Sequence, residues 1–550
     1  MDAKELHRLG QSLFEKKAPL NSLHQEIADN FYPERATFTV NRSLGQDFAS
    51  HLTTSYPVIC RRDLGNQLGV MLRPTARQWF HTIRRFEEDE DSETKRWLEA
   101  FEETQRRAMY DPISGFTRAT KEGDHDFAAF GQCAISVEVN NNSAAGSHML
   151  YRCWHLKDMC WQEDEVGNIE TKFRRWKPTL HMLVRTFKNV HEKVRRTHDK
   201  DPFGEHEVMH IVVPGEMYDK STKQKYWSIW YDPAHNHIME ETPLWTGHYV
   251  IPRWQTVSGS QYSYSPATVA ALPDARLIQA MTFTLLEASE KATSPPMIAT
   301  KDAVRSDIAT YAGGVTWVDS EYDERFGEVL RPITQDFRGM QYGEHMHAAT
   351  VAMIREAFYL NKLALPQRTP EMTAYEVGQR VQEYIRNALP IFEPMEAEYN
   401  ASLCDNTFEL LWRNGAFGDP QAWPKTLRGA NIDFRFESPL HDAIEQQKGH
   451  KILEAKSLLA EAIAIDPSSA AIIDVKVALR DALLGIQTPA KWLRSEEEVE
   501  RAAAAQQQEL EQQKMLAGME QASNVSKNLA AVNQGGEAPM PSPMPEEMPV

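Results

Sequence analysis

The strongest constraint on the fold is a pair of long helical segments that prolines separate from their surroundings. The first carries apolar side chains at spacings of three and four residues, namely Leu277, Ile278, Met281, Leu285 and Ala288. This period predicts an amphipathic helix. Pro273 precedes the stripe and Pro295-Pro296 ends it, because a proline disfavours helical backbone at the residue before it. About 19 helical residues would span roughly 28 Å.

The second helical segment follows a short module of mixed character. Its apolar positions are Phe337, Met340, Ala349, Met353, Ala357 and Leu360. The intervening residues 297–334 contain Gly313-Gly314 and a strand-like run at 315–318, so they do not continue either helix. The chain is therefore expected to run outward, form a small non-helical module and return.

Residues 361–372 form a predicted loop, because Pro366 and Pro370 prevent a regular helix there. Two basic residues, Lys362 and Arg368, lie in this loop, and taken alone they are ordinary exposed charges. Thr373 then stands three residues before Glu376, which is a capping box that predicts the start of a third helix.

The region before the first long helix predicts an α+β domain. Helical periodicity covers residues 3–28 and the segment that follows the acidic run 87–93. It is also present within residues 56–79, where Pro74 ends the predicted helix. Short alternating runs then predict strands of a largely antiparallel sheet at 133–139, 149–154, 208–213, 225–231 and 248–251. Helical pieces interrupt them near 180–194.

The end of the chain reads as helical, followed by a tail. From residue 440 the pattern is helical, and a narrow apolar seam consists of Met515, Met519, Ala522, Val525, Leu529 and Val532. Such a seam suits a coiled coil or a helical barrel. Residues 535–550 are rich in proline and methionine and are predicted to be disordered.

Charge and motifs exclude several functional classes. The chain has 60 basic and 78 acidic residues, a net charge of −18, which argues against gripping nucleic acid by neutralising phosphates but allows a passive conduit. Its 5 cysteines are scattered and do not suggest a disulfide framework. No run of about 18 apolar residues predicts a membrane span. Without nucleotide-binding glycine loops or a G-x-S-x-G elbow, we expect no cofactor and no enzyme.

One motif suggests zinc chemistry. His206, Glu207 and His210 match the H-E-x-x-H pattern of zinc proteases, which requires a helix so that the two histidines share one ion. The residues after them, 211–214, predict a strand instead, where the histidines would lie about 13 Å apart. Other histidine and cysteine groups, such as His235 with His237, lack convincing zinc spacing, so no metal is predicted.

Several short words of this sequence resemble the head-to-tail connector family of short-tailed phages, whose members are portal proteins. The words are Pro252-Arg253-Trp254, Leu272-Pro273-Asp274, residues 373–380, Arg61-Arg62-Asp63-Leu64, Leu72-Arg73-Pro74, Asp126-Phe127, Phe130-Gly131-Gln132-Cys133, residues 210–214 and residues 484–497. They cover about residues 1–510. The chain departs from the family where Ser263-Tyr264 replace the usual Gly-Arg before Ser265-Pro266, and where residues 485–489 exceed the usual Gly-x-Pro.

The resemblance implies a portal fold with an α/β wing, a helical stem, a small mixed clip and an all-helical crown. It assigns residues 1–260 to N-terminal helices and the sheet-rich wing, 261–296 and 335–360 to the stem helices, 297–334 to the clip, 361–372 to the tunnel loop, 373–439 to a long kinked helix and the return to the wing, 440–534 to the crown or barrel, and 535–550 to the tail. Lys362 and Arg368 would then face DNA in the channel.

The function implied by the resemblance is that of a ring, typically of twelve subunits, at one capsid vertex of the virion. Double-stranded DNA would enter through it, driven by the terminase large subunit docked at the clip, and would later leave by the same channel. Tail adaptors and the major capsid or scaffold protein would be further partners, with assembly in the host cytoplasm and no membrane. Two alternatives remain at this point: a zinc-dependent hydrolase using residues 206–210, and a coiled-coil scaffold.

Overall fold

The computed structural model describes residues 1–43, 49–75, 78–85, 92–140, 148–299, 317, 330–332, 339–362, 383, 386 and 395–436. The predicted third helix start, Arg368, the crown and the tail lie outside these residues. The chain divides into two compact units, residues 1–89 with 97–453 and residues 90–96 with 454–550. Apart from residues 92–96, which begin one helix, the architecture below is that of the first unit.

The N-terminal half begins with four helices, α1 (Ala3–Phe31), α2 (Tyr56–Leu72), α3 (Ser92–Met109) and α4 (Phe116–Phe130). α1 starts at a capping box in which Asp2 accepts the Glu5 amide at 2.7 Å and Glu5 accepts the Asp2 amide at 3.0 Å. α2 packs on α4, and Leu64, Leu68 and Phe127 are fully buried in the main core.

All strand pairs described are antiparallel, which confirms the predicted α+β class. A five-stranded meander contains β4 (Met159–Glu163), β5 (Ile169–Trp176), β6 (Val208–Pro214), β7 (Tyr226–Asp232) and β8 (His237–Leu244) in sequence order. A three-stranded sheet has the order β3 (His148–Cys153), β2 (Ile135–Asn140) and β9 (Tyr249–Val250). Two short helices, α5 (Leu180–Thr186) and α6 (Glu192–His198), lie between β5 and β6 in the chain.

A long helical hairpin follows a two-residue pair of strands, β10 (Gln255–Thr256) and β11 (Ser263–Tyr264). It consists of α7 (Pro266–Thr293), the antiparallel strands β12 (Met297–Ala299) and β13 (Leu330–Pro332), and α8 (Gly339–Ala357). α7 and α8 run antiparallel, because Thr282 meets His347 at 3.2 Å while Leu285, farther along α7, lies beside Gly343. At the standard rise, the 28 residues of α7 span about 42 Å.

α7 begins earlier than the sequence alone predicts, so Pro273 lies inside the helix. Ser265 caps the helix and Pro266 occupies its first turn, where a proline needs no amide partner. Because Pro273 has no backbone N–H, the carbonyl of Val269, four residues earlier, loses its helical partner. Both residues are exposed. Water can therefore replace the missing bond, and buried Ala271 and Ala275 hold the opposite face in the core.

The chain returns to the body after residue 395. A π-helical turn (Glu396–Asn400) leads into α9 (Ala401–Arg413), and β14 (Ile432–Phe436) pairs with β1 (Phe80–Arg84). Segments more than 300 residues apart in the chain thus share one core. All five cysteines are free, as expected.

A buried guanidinium connects three of these distant segments. Arg73, directly after α2, forms an ion pair with Asp124 of α4 and donates to the Asn400 side chain at 2.8 Å. Its guanidinium also lies 4.3 Å from the Tyr399 ring. Burial opposes charge on Arg73, but the Asp124 contact keeps the pKa of the guanidinium above its ordinary value. Burial raises the pKa of the Asp124 carboxyl, and the charge and hydrogen bond of Arg73 oppose that rise.

Replacing Arg73 with alanine should destabilise the body by about 3–5 kcal/mol, because Asp124 would keep a buried charge without a partner. The matched control is Arg118→Ala, which removes the exposed pair with Glu122 on α4 and should cost less than about 0.5 kcal/mol. The midpoint of urea unfolding, followed by tryptophan fluorescence, measures both effects. Equal midpoints for the two variants would contradict this role for Arg73.

Candidate assembly and channel surface

The root of the α7–α8 hairpin is bonded tightly to the end of α4. The Ser265 hydroxyl donates to the Ala128 carbonyl at 2.7 Å, and the Thr268 hydroxyl donates to the Ala129 carbonyl at 2.7 Å. These carbonyls belong to the last turn of α4, which has no helical donors left for them. The hydroxyls of α7 therefore complete the hydrogen bonding of α4 and fix the two helices together.

Gly131 makes this junction sterically possible. It ends α4 in the left-handed conformation with φ 72°, and a Cβ built on it would lie 2.1 Å from the Tyr264 carbonyl carbon. Only glycine tolerates both this left-handed backbone angle and the close approach of the Tyr264 backbone. The family word containing Gly131 thus has a specific structural role.

Further contacts hold the lower part of α7. The Gln279 amide oxygen accepts the Thr53 amide at 2.7 Å and the Thr54 amide at 2.9 Å, and its nitrogen donates to the Thr54 carbonyl at 2.9 Å. Arg276 forms an ion pair with Glu26 of α1. Ile354 of α8 is fully buried, as is Phe358 directly after the helix, whose ring lies 5.4 Å from that of Phe31. The base of the hairpin is therefore part of the core.

Beyond this base, the hairpin exposes large apolar side chains. Exposed fractions reach 59% for Phe283 and 53% for Leu286 on α7, and 75% for Tyr342 and 58% for Met346 on α8. Exposed apolar side chains concentrated on one element indicate a surface for protein contact. We call these four residues the hairpin patch.

The sequence pattern missed the hairpin patch. The predicted stripe included Leu277, which is 41% exposed, together with Ile278, which is fully buried. Adjacent positions on a helix differ by about 100°, so these two residues face different sides. The signal that could have identified the patch is a second set of apolar positions, Phe283 and Leu286, outside the stripe that packs on the core.

Lys362 lies just beyond α8, in a turn that follows Tyr359. Tyr359 has a positive φ of 56°, which ends the helix, and the Lys362 amide donates to the Tyr359 carbonyl at 3.0 Å. The Lys362 side chain is exposed, and its amine lies 5.8 Å from the Tyr359 ring centre. Arg368 lies outside the described residues, so its position relative to Lys362 stays a prediction.

The word Pro252-Arg253-Trp254 serves to hold the body together. Arg253 donates to Glu398 through its side chain at 3.0 and 3.2 Å, and to the Gly167 carbonyl at 2.9 Å; it also forms an ion pair with Glu163. The Trp254 ring stacks on Phe127 with centroids 5.5 Å apart. This word therefore fixes the end of the meander against the π-helical turn.

The H-E-x-x-H residues do not share one ion. His210 lies in β6, fully buried, with its ring nitrogens bonded to the Tyr249 hydroxyl at 2.5 Å and the Ser228 hydroxyl at 2.7 Å. Burial holds its pKa well below the ordinary value, so it is a neutral core histidine. Glu207 faces Lys177 at 3.1 Å. His206 points elsewhere and bonds Asp232 at 3.0 Å.

Comparison with known proteins gives the family. The model described as "Bacteriophage head to tail connecting protein" matches residues 3–493. The probable portal protein of Bordetella phage BPP-1 is 25% identical over 454 residues, which cover 80% of this chain and 79% of that protein. The portal protein of Salmonella phage epsilon15 is 21% identical over 291 residues, 50% of this chain and 51% of that protein.

The chain therefore belongs to the bacteriophage head-to-tail connecting protein family. This confirms the resemblance found in the sequence, and neither the zinc hydrolase nor the coiled-coil scaffold is supported. None of the described helices is long and apolar enough to cross a membrane.

The junction at the root of the hairpin can be tested with a matched pair of glycine substitutions. Gly131→Ala should lower the unfolding midpoint strongly, because the new Cβ meets the Tyr264 backbone as well as an unfavourable φ. Gly167→Ala also places alanine at positive φ, 91°, but in open space, so it should cost only about 1–2 kcal/mol. The difference between the two midpoints isolates the contact. A similar loss in both variants would contradict the proposed junction.

Proposed function

We propose that this chain is the subunit of a phage portal, a closed ring at one capsid vertex that DNA crosses during packaging and ejection. Membership of the connector family and similarity to two portal proteins support this function. The observation that carries the assembly step is the hairpin patch, because large apolar side chains stand on a hairpin whose base is fixed in the core.

The hairpin is suited to a ring contact because its base is held in the core while apolar side chains farther along both helices are exposed. Identical subunits that join head to tail through two different faces form a closed ring when the rotation closes. The patch supplies apolar area for such a contact on both helices, α7 and α8. A twelve-subunit ring, with α7 and α8 as its stem, is the form we propose.

The strands β12 and β13 connect the helices at the far end of the hairpin. Their pairing, Met297 with Pro332 and Ala299 with Leu330, closes the hairpin at the end opposite its buried base. We assign residues 297–334 to the clip, where a terminase large subunit docks during packaging and tail adaptors bind later. The wing, residues 1–260, would contact the capsid or scaffold protein.

The channel would be lined near the turn that follows α8. Lys362 is exposed there, and residues 361–372 form the proposed tunnel loop with Arg368. The net charge of −18 per subunit disfavours tight DNA binding, which would oppose translocation. A few basic residues in the loop would offset this repulsion locally and keep DNA centred.

The ring contact predicts a clear effect of charge in the hairpin patch. Phe283→Asp should abolish closed rings and leave folded smaller species, since burying an unpaired carboxylate in an apolar contact is costly. Phe203→Asp is the matched control, because Phe203 is 81% exposed but lies outside the hairpin. Negative-stain electron microscopy and light scattering of the purified full chain measure the outcome.

Two results would oppose this assignment of the contact. The first is that Phe283→Asp still forms rings while Phe203→Asp does not, which would show that the ring contact lies outside the hairpin. The other concerns the scaffold alternative: truncation after Arg494 should leave rings intact, and their complete loss would favour assembly through the terminal helices.

The channel assignment predicts a separable effect on DNA. The double variant Lys362→Glu with Arg368→Glu should still form rings but should lower the amount of DNA packaged per capsid several-fold, because added negative charge repels the phosphates. Lys220→Glu, an exposed lysine between β6 and β7, is the control and should package normally. Quantitative measurement of capsid DNA after complementation checks this. Normal packaging by the double variant would contradict the channel role.

A further inference from the structure

Three side chains from two separate parts of the meander converge at its edge. His206 belongs to the segment before β6, Asp232 ends β7, and His235 lies in the turn between β7 and β8. Their nearest nitrogen and oxygen atoms all lie within 4.8 Å of one another. Within the part of the chain that the structure describes, this is the one group of three that has such a geometry.

The carboxylate at the centre of the group is buried and aligned by both histidines. One Asp232 oxygen lies 3.0 Å from His206 Nε2, and the other lies 2.9 Å from His235 Nδ1. The Asp232 side chain is only 1% exposed, whereas the two histidines are partly open to solvent. An ion could thus reach the group from outside and meet a carboxylate that the fold already holds in place.

The local backbone explains why Asp232 is held so firmly. Its carboxylate also accepts the Ala234 amide at 3.0 Å, and Asn236 takes a positive φ of 52° that closes the turn. The turn therefore presents an anionic ligand beside two imidazoles.

We propose that His206, Asp232 and His235 bind one Zn²⁺ ion, with water in the fourth position. Two imidazole nitrogens and one carboxylate oxygen form a familiar zinc ligand set. With metal–ligand bonds of about 2.0–2.1 Å, tetrahedral ligands lie roughly 3.4 Å apart. The ligand atoms of the three residues now lie within 4.8 Å of one another, so they would need to approach each other by less than about 1.4 Å to bind one ion. The two imidazole ring centres, 5.8 Å apart, also suit binding to one ion.

Binding requires each histidine to offer a lone pair to the ion. The proton now directed at Asp232 would move to the other ring nitrogen, His206 Nδ1 or His235 Nε2, a change of tautomer that leaves each imidazole neutral. The fourth position is left to water because His237 already contacts the Asn189 carbonyl at 3.0 Å. His191 stacks on His235 with centroids 4.5 Å apart and supports its ring.

This site differs from the H-E-x-x-H site considered in the sequence. It uses only the first histidine of that motif, and it replaces Glu207 and His210 with residues from the following hairpin. The ion would tie the segment before β6 to the β7–β8 turn, a structural role for which no reaction is needed. The proposal is independent of ring formation.

The test is zinc binding by the full chain after chelator treatment and desalting. Competition with a chromogenic chelator should give about one tightly bound Zn²⁺ per chain, and Co²⁺ should produce the visible absorption of a tetrahedral site. Asp232→Asn and His235→Ala should each weaken binding by at least about tenfold. Two substitutions are used because Asp232 is buried whereas His235 is partly exposed, so that His235→Ala should leave the core intact.

Two controls separate this site from its alternatives. Glu207→Gln should bind zinc normally, since Glu207 is outside the proposed ligand set. His181→Ala removes one of another stacked histidine pair, with His198 at 6.0 Å, and should also bind normally. Less than about 0.2 zinc per chain, unchanged binding in Asp232→Asn, or equal weakening in His181→Ala would overturn the proposal.

Discussion

The buried guanidinium of Arg73 is the interaction on which the body of this protein depends. It joins the end of α2 to α4 and to the π-helical turn at Asn400, which follows Arg73 by 327 residues in the chain. A buried ion is costly unless its partners are fixed, so each of the three segments is needed to keep the other two in place. The last turn of the same α4 also bonds the root of the long hairpin.

The end of α4 also connects the core to the α7–α8 hairpin, which carries the proposed contact surface. Gly131 ends α4 and allows the Tyr264 backbone to approach closely. The hydroxyls of Ser265 and Thr268 donate hydrogen bonds to two carbonyls in the last turn of α4. The hairpin therefore leaves the body in a defined direction, with its base buried and its outer part apolar and exposed. The hairpin patch is the surface that we propose for contact with neighbouring subunits.

Histidines illustrate how local motifs can mislead. The H-E-x-x-H pattern suggested a zinc hydrolase, yet His210 is a neutral core residue between Tyr249 and Ser228. His206 instead meets Asp232 and His235, which follow it by 26 and 29 residues in the sequence. The pairing of β6 with β7 brings them together, so the spacing of residues along the chain gave no indication of this group.

The sequence by itself determined the class, the positions of several β-strands and the family. The runs at 208–213 and 225–231 predicted β6 and β7 within one residue. Every residue of β6 is buried, so its signal in the sequence is a short, mostly apolar run and not strict alternation. The family words, including Leu72-Arg73-Pro74 and Phe130-Gly131-Gln132-Cys133, were recognisable before their roles were known.

Only the tertiary structure decided what those words do. It placed Pro273 inside α7, where packing of Ala271 and Ala275 and an exposed carbonyl outweigh the local preference to break the helix. It turned Leu277 outward, exposed Phe283 and Tyr342, and gathered His206, Asp232 and His235. Each of these outcomes depends on contacts between distant segments, and periodicity carries information only about neighbours along one element.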